Sequence, residues 1–515
     1  MTPSSRPTAA QLLEITLDPG SFSSWDTPPV QPELGDSYES ELQAAHAAAG
    51  VDEAVITGEG KIEGIRVALV VGEFGFLAGS IGTAAADRIV EAFRRATREK
   101  LPMLAAPSSG GTRMQEGTIA FTRMIDIVSA VSAHTKAGLL YLVYLRHPTT
   151  GGVFATWGSL GQITVAEPKA LIGFLGPKVY EALHGEAFPP GVQTAENLYA
   201  RGVIDAVLDA HHLRSMITRV LTLVTPSAAL ETAGDVGQAP NLVDASDDPW
   251  ESVLHSRKPG RPGLRTLLRF AATDVIGPTG TGMGERENAS LVALARFGSH
   301  GVVVVGLDRH AQFFDGPLGP RALRQARRGM ALAAELRLPL VTVIDTPGAA
   351  LSQEAEEGGL GGEIARSLAS LIDIPVPTVS VILGQGTGGA AIALFPADRV
   401  IAARHAWLSP LQPEGASVIR RGHLDDAPEM ARQQGITAQE LHAAGLVDEV
   451  INDAGDTSLE PEAFCLRVGE AIERGVSHAL KLHAGIDSTD AVQRFRVRHA
   501  VHPKPRARKH EGVTP

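Results

Sequence analysis

Residues 99–111 read EKLPMLAAPSSGG, and residues 336–349 read LRLPLVTVIDTPGA. In each, Leu-Pro leads a short apolar run that stops at small polar residues and glycine. A run of this length bounded by such residues predicts a buried strand ending in a tight turn. Glycine admits backbone angles and close approaches that other residues do not. A strand that ends in such a turn and opens a helix points free backbone N–H groups at whatever binds there. The same grammar also makes a plain tight turn, and one copy alone does not separate the two readings.

The likeness of these stretches is not isolated. Leu101-Pro102 aligns with Leu338-Pro339 at the same separation that aligns Gly151-Gly152 with Gly388-Gly389. Further on, TAENLYARGVIDAVL (194–208) resembles TAQELHAAGLVDEVI (437–451) at a slightly longer separation. The extra residues fall near RRGHLDDAPEM. Three matched blocks in one order identify a duplicated domain. The copies are expected at 40–235 and 262–485, after an N-terminal extension at 1–39. A connector at 236–261 is rich in Asp, Pro, Ser and Gly, and a basic tail at 486–515 reads as disordered.

Each copy repeats one pattern. A run of branched residues (IRVALVVGEF or GVVVVGLD) predicts a buried strand. A helix with three- and four-residue apolar spacing follows, then the Leu-Pro strand, a glycine turn and another helix. A third strand ends in a second glycine turn. Alternation of strands and helices argues for an α/β fold of right-handed ββα or βαβ units around a mostly parallel sheet. Ligands of such sheets sit outside the carboxyl ends of the strands. The turns are read as Gly110-Gly111 and Gly151-Gly152 in the first copy, and as Gly348-Ala349 and Gly388-Gly389-Ala390 in the second. Two neighbouring turns with N–H groups converging on one point would form an oxyanion hole. Their repetition in both copies favours that reading over plain turns.

Composition bounds the rest. The chain has 515 residues, 44% hydrophobic and 20% charged, with a net charge of −12. That balance argues against a general nucleic-acid binder, and an anionic ligand would need a local basic pocket. The single cysteine, Cys465, leaves no disulfide framework and no multi-cysteine zinc site, so no metal is expected. The N-terminus lacks the basic and apolar regions of a secretory signal, and cytoplasm is the default expectation. Val376 to Ala397 lacks charge over a length that could span a bilayer, but its Gly and Pro residues read as a strand, a glycine turn and a short helix. No membrane partner is expected.

At this point the residues resemble the carboxyltransferase component of biotin-dependent acyl-CoA carboxylases. FLAGSIGTAAADRIVEAFRRATREKLPMLAAPSSGGTRMQEG is similar to that family's β-type half. IDTPGAALSQEAEEGGLGGEIARSLASL, GQGTGGAAIALFPADRVIAA and LSPLQPEGAS are similar to its α-type half. The wording is most like acetyl-CoA carboxylase. The resemblance implies two tandem crotonase-like (ββα-repeat) domains and a homo-oligomer whose sites form between subunits. It implies an acyl-CoA in the first domain and biotin in the second, presented by a separate biotin carboxyl carrier protein that a biotin carboxylase subunit serves. Gly110, Gly111, Gly151 and Gly152 would then surround the thioester oxygen. Gly348, Ala349, Gly388, Gly389 and Ala390 would surround the biotin ureido oxygen. The chain departs from the family at Thr112, where Ala is usual, and at TDVIGPTGTGMGERENA (273–289). It also has no cysteines for the four-cysteine zinc module of some β-type subunits.

Several features carry a plainer reading. GPTGTGMGE (277–285) lacks the Lys-Ser/Thr of a phosphate loop and is expected to be a mobile surface loop. Arg98 and Lys100, with Arg94 and Arg95, are candidates for the CoA phosphates, against a solvated helix end. Arg113 is a further candidate, against an ion pair with Glu116. Glu354, Glu356 and Glu357 read as a solvated loop. A hydratase or isomerase of the crotonase type, and a non-catalytic assembly subunit, are the competing functions.

Overall fold

The computed structural model describes residues 6–225, 248–452 and 457–484. The basic tail and residues 236–247 of the connector lie outside them. Within the first half the strands are β1 (Ser23–Ser24), β2 (Val55–Ile62), β3 (Ile65–Gly72), β4 (Met103–Ala106), β5 (Tyr141–Leu145), β6 (Thr149–Thr150), β7 (Ile163–Ala166), β8 (Ile172–Gly173) and β9 (Ala206–Val207). In the second they are β10 (Thr273–Ile276), β11 (Ser290–Phe297), β12 (His300–Leu307), β13 (Leu340–Thr346), β14 (Thr378–Thr387), β15 (Arg399–Ala403), β16 (Trp407–Ser409) and β17 (Glu449–Ile451).

The two large sheets share one plan. The first runs β1-β2-β3-β4-β5-β7-β9, and the second β10-β11-β12-β13-β14-β15-β17 with β16 on β14. In each, an antiparallel hairpin leads into parallel strands. The first hairpin closes through Glu63 and Gly64, both at positive φ (50° and 78°), the two-residue geometry that matches strand twist. Side chains alternate between the two faces of β3. Ala68 and Val70 face the helices Thr83–Arg98 and Gly117–Lys136. Leu69 and Val71 face the other way, into a core shared with the second half.

That shared core joins the halves. The helix Ala210–Val224 places Leu213, Ile217, Val220 and Leu221 among second-half residues such as Val292 and Val303. The loop 277–285 completes the seam, and it is neither a phosphate loop nor a free surface loop. Thr279 N–H donates to Asp205 at 2.9 Å, Gly282 N–H donates to the Gly202 carbonyl at 2.9 Å, and Arg328 donates to Asp205 at 2.8 Å. A Cβ at Gly280 would lie 2.5 Å from Gly202 Cα, so the glycine lets two backbones touch.

The boundaries differ from the sequence expectation at two places. The stretch 1–39 is no appendage over its described part: the helix Ala9–Thr16 sits in the core, Ala9 N–H donates to Glu73 at 2.8 Å, and β1 edges the first sheet. The described end of the connector belongs to the second half. Its helix Pro249–Ser256 packs Val253 on Trp407, whose indole N–H donates to Ser256 Oγ at 2.8 Å. The first piece buries Ala9, Leu12, Leu13 and Leu17 at helical spacing over little more than two turns, and the second buries Val253 with Trp250 partly covered, so each is too short to stand out. The stretch Val376–Ala397 is the strand β14, a glycine turn and a short helix, as its residues suggest. Among the described residues, no helix is long and apolar enough to cross a membrane. Cys465 is buried.

His134 is enclosed by the first core. Its Nδ1 lies 3.1 Å from Thr97 Oγ1, and its ring meets Phe93 edge-on. Burial pushes the imidazole down to about 4 from 6.5. The unfolded chain therefore takes up a proton before the native one does. The stability is fully present above pH 6.5 and is lost as pH falls toward 4, by on the order of 3 kcal/mol. Urea unfolding at a series of pH values should show a shallower acid decline for His134→Gln than for the wild type.

Candidate functional site

The carboxyl ends of β4 and β5 deliver two turns to one place. Ser109 bridges Thr149, and Thr150 N–H donates to the Ser109 carbonyl at 2.9 Å. Gly111 follows at φ 115° and Gly151 at φ 60°. A Cβ at Gly151 would lie 3.3 Å from Gly111 Cα, so the turns are in contact. The chain then opens the short helix Gly151–Phe154.

The second half repeats the arrangement. Thr346 on β13 is in register with Gly386 on β14. Gly348 has φ 124° and Gly388 has φ 67°, close to their first-half counterparts. Gly388 opens the short helix Gly388–Ile392. The bridges Ile81 to Thr112 and Leu318 to Ala349 occupy matched positions. Gly111 therefore corresponds to Gly348, and Thr112 to Ala349. The pairing of Gly110-Gly111 with Gly348-Ala349 is one residue out.

The hydrogen bonds decide which N–H groups are available. Gly110 N–H donates to the Ala78 carbonyl at 2.9 Å, Gly111 N–H to Ser109 Oγ at 3.0 Å, and Gly151 N–H to the Phe174 carbonyl at 3.1 Å. Three of the four glycines read from the first half thus have their N–H groups engaged. Gly152 is the second residue of its helix, where an N–H has no carbonyl of the preceding turn to bond. The Thr112 N–H is also unengaged among the described residues, and a Cβ at Gly152 would lie 3.1 Å from Thr112 Oγ1. In the second half Gly348 N–H donates to Thr346 Oγ1 at 3.1 Å, while the Ala349 N–H is unengaged among the described residues. Gly388, Gly389 and Ala390 all lie in the first turn of their helix. Each half thus presents one N–H after a positive-φ glycine and another at a helix start. Thr112 escaped the sequence reading because it is not glycine. The register of the duplication, which matches it to Ala349, carries the signal.

Arg113 does not face a ligand. It is fully buried and lies under the turn. Its guanidinium pairs with Glu53 through both carboxylate oxygens, donates to Glu116 and Tyr38 at 3.2 Å each, and donates to the Ser80 carbonyl at 2.9 Å. Tyr38 in turn donates to Glu116 at 2.6 Å. Burial alone would depress the Arg113 pKa, but Glu53 more than offsets it and the group is held above its usual range. Burial, helped by Glu116, pushes the Tyr38 phenol up to about 12. Glu116 accepts from Thr83 N–H at 2.7 Å, fixing the start of the helix that carries Ile81's neighbours. The ion pair with Glu116 is the reading that holds for Arg113.

Arg98 and Lys100 are not brought to the turns. They lie at the far end of the helix Thr83–Arg98, about 24 Å of helix rise from Thr83. Arg98 pairs with Glu91 at 2.8 Å, and Arg95 pairs with Glu99 at 2.8 Å. Glu354, Glu356 and Glu357 lie on the exposed short helix Gln353–Glu357.

A doubled mixed α/β fold with a matched pair of turns in each half is the architecture of a carboxyltransferase. The chain belongs to the carboxyl transferase domain family, whose model matches residues 2–476. This is the family of carboxyltransferase components of biotin-dependent acyl-CoA carboxylases. The chain is 53% identical over 496 residues to the probable biotin-dependent acyl-coenzyme A carboxylase beta3 subunit of Mycobacterium tuberculosis (strain ATCC 25618 / H37Rv), covering 96% of this chain and 98% of that one. It is 34% identical to the acetyl-coenzyme A carboxylase carboxyl transferase subunits beta/alpha of Parafrankia sp. (strain EAN1pec), covering 96% and 85%. Its fold is similar to that of transcarboxylase 12S, a hexamer solved with hydrolysed methylmalonyl-coenzyme A bound. The TM-score is 0.72 at 21% identity, over 99% of this chain and 92% of that one.

Removing Arg113 would strand two buried carboxylates. Arg113→Met is expected to destabilise the fold by about 3–5 kcal/mol. Removing one of the two stranded charges with Glu53→Gln in the same chain should recover part of that loss. Urea midpoints of the wild type, the single and the double variant measure both effects.

Proposed function

We propose that the chain transfers carboxylate from carboxybiotin, carried on a separate biotin carboxyl carrier protein, to the α-carbon of an acyl-CoA. The acyl group we assign is acetyl, giving malonyl-CoA. The observation that carries the reading is the pair of turns in each half, with Thr112 and Gly152 N–H in the first and Ala349 and Gly389 N–H in the second. Two oxyanions arise in this reaction, and each half supports one. Carboxybiotin loses CO2 and leaves a ureido oxyanion, which the second pair of turns would stabilise. That anion takes the α-proton of the acyl-CoA, and the first pair would hold the resulting enolate oxyanion. The enolate carbon then attacks CO2. Backbone donors fixed before the reaction stabilise such charge without reorganising, and losing one costs roughly 3–4 kcal/mol elsewhere. The rest is positioning and exclusion of water.

The two halves would be of the crotonase type, and the working unit a homo-oligomer. Beside the first turns, Met114, Ile119, Phe121 and Ile125 are exposed, at 82%, 66%, 61% and 70%. Beside the second, Phe313, Phe314 and Leu351 are exposed, at 81%, 78% and 93%. Apolar patches of this kind mark protein interfaces. We assign them to a second copy of the chain, so that the first half of one subunit faces the second half of the other. Biotin is supplied by the carrier rather than held as a resident group, a biotin carboxylase subunit reloads it, and no zinc is required.

The reading is tested by incubating the purified chain with malonyl-CoA and free biotin. Carboxylate should pass to biotin in a reaction that avidin stops, and acetyl-CoA should accumulate. An inert wild-type chain would leave the assembly-subunit reading. Competition among acetyl-, propionyl- and longer acyl-CoA tests the acyl group, since one methyl is worth only about 1–3 kcal/mol.

The two halves should also separate by mutation. A Cβ at Gly152 would press on Thr112 Oγ1, whereas one at Gly389 would meet Ile364 Cδ1 at 2.6 Å. Gly152→Val is expected to weaken acyl-CoA binding, measured by calorimetry. Gly389→Val should leave that binding nearly intact and abolish reaction with biotin. Equal loss of acyl-CoA binding in both would refute the division of labour.

A further inference from the structure

The amides of Gly111 and Gly348 are turned away from the proposed oxyanion positions, and each is held by a hydroxyl two residues earlier. Gly111 N–H donates to Ser109 Oγ at 3.0 Å, and Gly348 N–H donates to Thr346 Oγ1 at 3.1 Å. Both hydroxyl residues are buried, Ser109 at 1% exposure and Thr346 at 0%. Each also ties its turn to the neighbouring one through the main chain, Ser109 to Thr149 and Thr346 to Gly386. Thr149 and Gly386 stand two residues before the positive-φ glycines Gly151 and Gly388. The residues differ between the copies, as do their surroundings (PSSGGT and IDTPGA), but the hydrogen bond is the same. What the copies share at this place is the turn.

The geometry shows what the bond does. A peptide unit is planar and trans, so its N–H points opposite to its carbonyl. The Gly111 carbonyl accepts from Ile81 N–H at 2.9 Å. The Thr112 N–H, in that same peptide unit, must therefore point away from Ile81. Glycine at φ 115° could swing this unit at little steric cost. The hydroxyl on the preceding amide removes that freedom. In the second half the hydroxyl is itself braced: Thr346 Oγ1 donates to Gln312 Oε1 at 2.6 Å, and Gln312 is buried on the helix Arg309–Asp315. Thr346 Oγ1 also lies 3.2 Å from the Gly348 carbonyl, but Gln312 is the nearer acceptor, and a lone pair is left for Gly348 N–H. Ser109 has no such brace and returns its proton to the Gly111 carbonyl at 3.3 Å.

We infer that Ser109 and Thr346 are positioning residues for the carboxyl transfer, their buried hydroxyls fixing the direction of the Thr112 and Ala349 N–H donors. The inference rests on the function proposed above. Neither hydroxyl touches the reacting atoms, and removing one leaves the donor in place but poorly aimed. The signature is a fall in kcat with KM for acyl-CoA and biotin largely unchanged, because aim matters most where charge develops.

The test uses the full chain, malonyl-CoA and free biotin. Ser109→Ala and the near-isosteric Thr346→Val remove the hydroxyls, and Thr346→Ser restores one. Thermal melts first establish which variants are folded. We expect kcat to fall at least about tenfold in Ser109→Ala and Thr346→Val, toward the 10²–10³-fold seen when such a donor is lost outright. Thr346→Ser should stay near wild type. Folded Ser109→Ala and Thr346→Val variants with wild-type kcat overturn the inference, as does a Thr346→Ser variant as slow as Thr346→Val. If Thr346→Val does not fold, Ser109→Ala decides alone. A wild-type chain that transfers no carboxylate overturns the functional reading and this role with it. An active wild type matched by its hydroxyl-less variants overturns the role alone.

Discussion

Two backbones meet at Gly111 and Gly151, both held at positive φ (115° and 60°), a conformation that residues with a side chain rarely adopt. A Cβ on Gly151 would stand 3.3 Å from Gly111 Cα, and one on Gly111 would stand 3.5 Å from Gly151 Cα. The parallel pairing of β4 with β5 brings their carboxyl ends together, and the bridge from Ser109 to Thr149 continues that pairing past the strands. The last N–H groups of one segment can then face the first helical N–H groups of the other. In the second half β13 and β14 stay in register as far as Thr346 and Gly386 and produce the same meeting. The core behind each sheet keeps these strands in place. The chemistry proposed above asks only that four amides be pointed and kept dry.

Much of this was legible in the residues. The duplication, the strand before each turn and the second turn of each half follow from short apolar runs and glycines at matched spacing. Val376–Ala397 resolves into β14, a turn and a short helix because its glycines and prolines break an otherwise uncharged run. Other features lay beyond sequence pattern. Which amide faces outward depends on hydrogen bonds such as Gly110 to Ala78, between segments far apart in space before folding. Thr112 carries no compositional mark. Arg113 reads as a basic residue beside a turn, and its partner Glu53 lies 60 residues away. The loop 277–285 has a surface loop's composition, yet its glycines serve a close crossing with Gly202.

The halves share a plan but support it differently. Under the first turn lies a dense charged group, with Arg113 set between Glu53 and Glu116 and closed by Tyr38 from the N-terminal stretch. Under the second, Arg309 donates to the buried Asp345 at 3.1 Å, and Gln385 N–H donates to the same carboxylate at 3.1 Å. Burial raises the Asp345 pKa, and Arg309 works against that rise. Both arrangements place fixed charge behind the turns in a low-dielectric interior, where its effect on neighbouring dipoles is strongest. The backbone was kept through duplication while the polar foundations were rebuilt.

The helix Ala210–Val224 is encoded with the first half and packs on both: its Arg214 pairs with Asp18 and Glu63, while its Ile217 and Val220 lie in the core that holds Val292 and Val303. A cut between the halves on its C-terminal side would take from this helix its second-half neighbours and leave the second fragment with an uncovered apolar face. A cut before Ala210 would instead part the helix from Asp18 and Glu63, so neither boundary separates the halves cleanly. Here covalent fusion is matched by a physical one, since residues of both halves fill one core.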